Sequence, residues 1–167
     1  IESGSASVDL RLGSRFAVAK RRRMTHLDPY HSYSHSNLVV DEHYVRVGGT
    51  FVLHPRHFVL ATTLEWVRLP PDLAGYITCK STLGRLGLNI ATASGIHPRF
   101  AGTITLELAN LADVPIMIRV GQPICQVFFH RVDPERVGDG AMDRTTFLGS
   151  KRPQVGSLTP DKIDTFL

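Results

Sequence analysis

The chain has 167 residues, of which 43% are hydrophobic and 20% charged. That length fits one domain, and that composition excludes a disordered chain and a coiled coil. No run approaches the roughly 18 uninterrupted apolar residues of a membrane helix; the longest apolar region is broken by His54, Pro55, Arg56, His57 and Glu65. The net charge of +4 and the pI near 9.4 favour an anionic partner without naming one.

The elements read in chain order are mostly short strands. Ser7–Leu12 alternates apolar and polar residues, and Arg15–Val18 does so more loosely. The basic run Lys20-Arg21-Arg22-Arg23 reads as a solvated strand end or turn. It lacks the interleaved aromatics that single-stranded nucleic acid would need, so nucleic acid is not an expected partner. Residues 24–37 are rich in His, Ser, Tyr, Asp and Pro and read as a loop. Further strands are expected at Tyr44–Val47, Thr50–Leu53, Phe58–Thr63, Glu65–Arg68 and Gly75–Cys79. Later ones follow at Leu88–Ala91, Thr103–Ala109, Ile116–Arg119 and Ile124–Val132, separated by Gly, Pro and Asp turns. One short helix is expected around Ser81–Leu86, capped by Ser81 or Thr82.

Frequent turns between short strands predict an all-β domain, closed or sandwiched, over residues 1–133. Residues 134–167 are rich in Gly, Pro, Lys and Arg and are expected to form a flexible arm. Cys79 and Cys125 lie in separate apolar runs, as in a reduced, cytoplasmic chain without a disulfide framework or zinc ribbon. The sequence begins at Ile1 rather than Met, so residues upstream of it are expected, and no signal-peptide pattern is visible.

The segment Lys80-Ser81-Thr82-Leu83-Gly84-Arg85 gathers two cations and two hydroxyls at a helix start. Backbone N–H groups there, with those side chains, suit a phosphate, although an ordinary capped surface helix has the same composition. The Gly-to-Lys spacing is one short of a Walker loop, and Cys79 occupies the position before Lys80. Further on, Glu107 has the parity of Thr103 and Thr105 on an otherwise apolar strand. An acid in that setting is usually solvated. His31 and His35 have a helical metal-ligand spacing in a segment that does not read as a helix, and His54 and His57 read as turn residues. No Ser-His-Asp constellation is apparent.

Four ordered motifs resemble the dCTP deaminase family of the trimeric dUTPase-like superfamily. They are Lys80–Leu88, Ile96–Gly102, Thr103–Asn110 and Gly121–Gln126, and the opening Ser5–Gly13 resembles that family's first strand. The resemblance implies a mainly β, distorted barrel or jelly-roll-like fold and a homotrimer with active sites shared between subunits. The apolar run Ile124–Phe129 is expected to contribute to a subunit interface. It further implies zinc-independent deamination of a cytosine deoxynucleotide, most readily dCTP to dUTP. The absence of a His-x-Glu and Pro-Cys-x-x-Cys pattern agrees with that chemistry.

By the same resemblance Glu107 is the general acid/base, Ser81 with the main chain near Ala93 holds the water, and Arg85 stabilises charge. Lys80, Ser81, Thr82 and Gly84 would face the triphosphate, with Mg2+ carried in on the nucleotide. His97, Thr105, Gln126 and Phe147 complete the implied substrate-binding set. The superfamily's dUTPases place an Asp at the position of His97, and the usual deaminase tail has Lys and Tyr where this chain has Thr146 and Phe147. These departures keep open a dUTPase, a bifunctional enzyme releasing pyrophosphate, a different cytosine nucleotide, or a non-catalytic nucleotide-binding domain.

Overall fold

The computed structural model describes residues 6–19, 40–90, 95–134, 149 and 151–153. The first five strands are β1 Ser7–Ala19, β2 Val40–Tyr44, β3 Thr50–Leu53, β4 Phe58–Arg68 and β5 Leu73–Cys79. A helical turn, α1 Ser81–Gly84, separates β5 from β6 Leu88–Ile90. β7 Gly95–Ile96, β8 Ala101–Asn110, β9 Ile116–Arg119 and β10 Pro123–Arg131 complete the described elements. The large sheet has the order β6-β8-β4-β1-β10-β5-β7, with β2 beside β1, while β3 and β9 form a separate ribbon. The sheet curls as a half-barrel, and its pairings are antiparallel.

Period-two alternation decides which face of each strand is inside. On β8, Gly102, Ile104, Leu106, Leu108 and Asn110 are buried, while Thr103, Thr105 and Glu107 point the other way and are half-buried. The core also takes Leu10, Leu12 and Phe16 from β1, Val59 and Ala61 from β4, and Ile118 from β9. Phe16 stacks on Phe51 with ring centroids 4.3 Å apart, which fastens the β3–β9 ribbon to the large sheet.

The expected strands at Ser7–Leu12 and Arg15–Val18 are one strand. β1 pairs with β10 through its first half and with β4 through its second. Gly13 sits at that crossover, where a Cβ would lie 2.8 Å from the carbonyl oxygens of Thr62 and Thr63. The expected strands Phe58–Thr63 and Glu65–Arg68 are likewise one strand, interrupted by a register shift between Thr62 and Trp66. Thr63 absorbs the irregularity: its hydroxyl accepts from the Ile104 N–H at 2.9 Å and donates to the Glu65 carbonyl at 2.9 Å. Glu65 in turn accepts from the Arg11 main-chain N–H at 2.8 Å and from its guanidinium at 2.6 Å.

One expectation is corrected. The strand placed at Tyr44–Val47 lies earlier, at Val40–Tyr44, because the chain turns at Arg46–Gly49, where the Gly49 N–H donates to the Arg46 carbonyl. The run Ile124–Phe129 contributes to the chain's own core. Ile124, Cys125 and Val127 are at most 1% exposed within the chain's own core. Of the remainder, Gln126 and Phe128 are half-buried and Phe129 is exposed.

The basic run at residues 20–23, the His-rich segment at 24–37, Ala93, Phe147 and most of the C-terminal arm lie outside the described residues. Where the arm is described, the Gly149 N–H donates to the Ala101 carbonyl at 2.7 Å, and Arg152 pairs with Glu42 at 3.6 Å.

Candidate active site

The phosphate-type segment begins where β5 ends. The Lys80 N–H still donates to the Ile124 carbonyl of β10, and its own carbonyl accepts from Leu83 and Gly84 to start α1. Lys80 is therefore the N-cap residue, in extended conformation, and no side chain caps the helix. This corrects the expected cap by Ser81 or Thr82. Their hydroxyls stay exposed in the first turn instead of closing it, so they remain open to a ligand. Gly87, with φ at +91°, ends the turn, and its carbonyl accepts from the Leu111 N–H at 2.9 Å. Leu83 packs against the core, while Gly84 and Arg85 are exposed.

Glu107 lies on the face of β8 opposite Leu106 and Leu108. Burial pushes its carboxyl above the ordinary value of 4.5, because desolvation disfavours the charged form. Among the described residues, no hydrogen bond or ion pair joins Glu107 to Arg85. The two are connected through β6, which follows α1 and pairs with β8 up to Ile90 opposite Leu108, one residue short of Glu107. Thr105 is two residues away from Glu107 on the same face. His97 is exposed in the turn between β7 and β8, where its carbonyl accepts from the Phe100 N–H at 3.2 Å.

Gln126 belongs to a polar row that crosses three strands. Asp9 of β1 stands opposite Gln126 of β10, which stands opposite Thr78 of β5. Gln126 donates to the Thr78 hydroxyl at 3.2 Å and accepts from Ser7 at 3.5 Å. The Lys80 ammonium forms an ion pair with Asp9 across this row. Neither Asp9 nor Thr78 was singled out from the sequence. Parity put Asp9 on the polar face of β1, but the pairing with Lys80 depends on a strand register that parity does not supply.

Among the described residues, no group of three or more His, Cys, Asp or Glu side chains is placed to hold a metal ion. No described helix is long and apolar enough to cross a membrane.

The family model described as dCTP deaminase-like matches residues 2–132. The chain belongs to the dCTP deaminase-like family. The dCTP deaminase of Natronomonas pharaonis is 40% identical over 159 residues, covering 94% of this chain and 81% of that protein. The dUMP-forming dCTP deaminase of Methanosphaera stadtmanae is 37% identical over 164 residues, covering 93% and 80% respectively. A dUMP-forming dCTP deaminase of Mycolicibacterium gilvum is 45% identical over 159 residues, covering 94% and 80%. Among solved structures, 2'-deoxycytidine 5'-triphosphate deaminase from Agrobacterium tumefaciens aligns with a TM-score of 0.57 at 25% identity. That alignment covers 80% of this chain and 42% of the Agrobacterium chain, so this chain spans less than half of that protein. The mainly β, dUTPase-like architecture expected from the sequence is the one observed.

Proposed function

We propose that this chain hydrolytically deaminates the cytosine of dCTP without zinc, with Glu107 as the proton shuttle. The observation that carries the reading is Glu107 itself: a half-buried carboxylate of raised pKa on the open face of β8, beside Thr105. A carboxyl poised above its usual range takes and returns protons more readily near neutral pH than a solvated one. In this reading Glu107 removes a proton from a water that attacks C4 of the base. The C4–O bond forms, Glu107 delivers the proton to the ring, and a second transfer to the exocyclic nitrogen lets the C4–N bond break as ammonia leaves. Ser81 orients the water and Arg85 faces the charge that develops, from a turn whose hydroxyls and cation project from the fold. The triphosphate enters as its Mg2+ complex.

We also propose a homotrimer with shared sites. Arg85 and Glu107 have no ion pair with each other in one chain, which fits a site completed by a neighbouring copy.

A second reading adds hydrolysis of the triphosphate, giving dUMP and pyrophosphate. It is favoured by the Methanosphaera and Mycolicibacterium relatives, whose names are dUMP-forming. His97, rather than a carboxylate, would then have to serve the water at the α-phosphate. The test is incubation with Mg2+ complexes of dCTP, dCDP and dCMP, following ammonia and pyrophosphate together. Ammonia from dCTP alone supports the first reading, and pyrophosphate in equal amount supports the second. Absence of ammonia with all three nucleotides overturns deamination and leaves a nucleotide-binding domain.

A further inference from the structure

We propose that Cys79 and Cys125 form an oxidisable cross-strand dithiol beneath the α1 turn, and that its closure to an intrachain disulfide weakens nucleotide binding. The second half rests on the proposed nucleotide reading; the first does not.

Cys79 ends β5, Cys125 lies in β10, and the ladder sets the two directly opposite each other. The Lys80 N–H donates to the Ile124 carbonyl, so the next pair along is hydrogen-bonded and the cysteine pair falls at a non-hydrogen-bonded position. Cα atoms at such positions are about 4.5 Å apart, inside the roughly 4.4–6.8 Å range that a disulfide spans. Opposite residues of an antiparallel pair also share a face, here the inner one that carries Ile77 and Val127. Both cysteines are free. The sheet is irregular at this point, since the β1–β10 register shifts between Leu10, opposite Cys125, and Arg11, opposite Pro123.

The two thiols differ in access. Cys125 is 0% exposed, whereas Cys79 is half-buried. Burial raises the Cys79 thiol above 9.0, and the Gly84 N–H of α1 partly offsets this by favouring the thiolate. A low-molecular-weight disulfide such as oxidised glutathione supplies the oxidising equivalents. The Cys79 thiolate attacks one of its sulfurs, a glutathione thiolate leaves, and a mixed disulfide forms. Cys125 then gives up its proton, attacks the Cys79 sulfur and expels the second glutathione. Two protein thiols are oxidised, and one glutathione disulfide is reduced to two thiols.

Closure moves a sulfur that sits under the turn. The Cys79 thiol donates to the Lys80 carbonyl at 3.5 Å and to the Leu88 carbonyl at 3.6 Å, so it touches both flanks of α1. A disulfide has no proton to donate, and it draws the sulfur toward β10. The turn that presents Ser81, Thr82 and Arg85 then loses that contact.

The test compares the parent with Cys79→Ser and Cys125→Ala, each incubated with oxidised glutathione and then with dithiothreitol. Thiols are alkylated after denaturation, peptide mass spectrometry maps the linkage, and calorimetric titration with dCTP in a Glu107→Gln background gives Kd. The oxidised parent should carry no alkylatable thiol, no glutathione, and a peptide joining Cys79 to Cys125. Its melting temperature should rise by about 5–15 °C, because the bond closes a long loop. Its Kd should rise by about 3- to 10-fold, and dithiothreitol should reverse every change. Cys125→Ala should stop at the glutathione adduct on Cys79, and Cys79→Ser should keep its Kd. In the parent, a persistent glutathione adduct, a disulfide between chains, or thiols that stay free overturns the dithiol. A linked chain that melts lower, or that binds dCTP as well as before, overturns its action on the turn. Should the reduced parent not bind dCTP, the nucleotide reading fails while the linkage map still judges the pair. Should Cys125→Ala not fold, Cys79→Ser serves as the control.

Discussion

Glu107 stands directly opposite Leu60 in the β4–β8 ladder, and Leu60 is 9% exposed. The acid therefore has an apolar cross-strand neighbour on a face that also carries Thr103 and Thr105. Water is thinned around the carboxylate without being replaced by a cation, so its neutral form is favoured.

The first consequence concerns stability. A carboxyl whose folded pKa is raised contributes stability below its ordinary value of 4.5, and that contribution is lost as pH rises through the folded value. At neutral pH the ionised Glu107 is a cost to the fold. Glu107→Gln is therefore expected to raise the melting temperature at pH 7, with the gain shrinking as the pH falls below 4.5. Paired melts at pH 4 and pH 7 check this. A variant that melts lower at both would show that Glu107 is held by a favourable contact.

Shared sites are tested by mixing. Arg85→Ala and Glu107→Gln should each be nearly inactive. After co-refolding in equal amounts, random trimers that build each site from two subunits should recover about a quarter of wild-type activity. Recovery confined to the background of the separate variants would place both residues' action within one chain.

Gly87 makes the approach of α1 to the loop after β8 possible. Its φ is +91°, and a Cβ there would lie 2.8 Å from the Ala112 Cβ and 2.9 Å from the Ala112 nitrogen. Gly87→Ala is expected to cost about 1–3 kcal/mol through strain and overlap, lowering the melting temperature by about 2–4 °C per kcal/mol. Because the Gly87 carbonyl accepts from Leu111, the same change should also weaken nucleotide binding. An unchanged melt would mean that the loop yields freely.

Cys125 supplies an alkaline test. Burial first, then the nearby charges of Glu65, Cys79 and Asp9, push its thiol from 9.0 up to about 12. Between those values the folded chain holds a proton that the unfolded chain has released, so stability falls as pH rises. The slope from this one group is at most about 1.4 kcal/mol per pH unit. Urea midpoints for the parent and Cys125→Ala across pH 8 to pH 10.5 should diverge in slope, the parent falling faster. Parallel lines would contradict the assignment.

How far the sequence alone leads is seen in particular residues. The alternation Thr103-Ile104-Thr105-Leu106-Glu107-Leu108 placed Glu107 on the polar face of β8 because a strand's period leaves no other choice. The helix expected around Ser81–Leu86 on the capping hydroxyls of Ser81 or Thr82 is present as Ser81–Gly84, but the turn starts on main-chain bonds of Lys80, which composition does not reveal. Alternation reads β1 and β4 as two strands each, since each carries two more residues than its partner across the register shift, Leu12–Phe16 against Thr63–Ala61 and Thr62–Trp66 against Thr105–Thr103, without ending the strand. The Asp9–Lys80 pair joins residues 71 positions apart and exists only through the shared register with β10. Local pattern carries no information at that range.

The most direct test is the turnover of Glu107→Gln on Mg2+·dCTP, measured as ammonia in a single-turnover experiment with binding determined separately. Glutamine keeps the shape of the side chain but cannot shuttle protons. Since general acid–base catalysis is worth about 10²–10⁴-fold, and one group here serves several transfers, the expected loss lies at or above the upper end. Nucleotide binding should stay within a few-fold of the parent. Retention of more than about a tenth of the parent rate, well outside that range, would contradict the assignment of Glu107 and the deaminase reading with it.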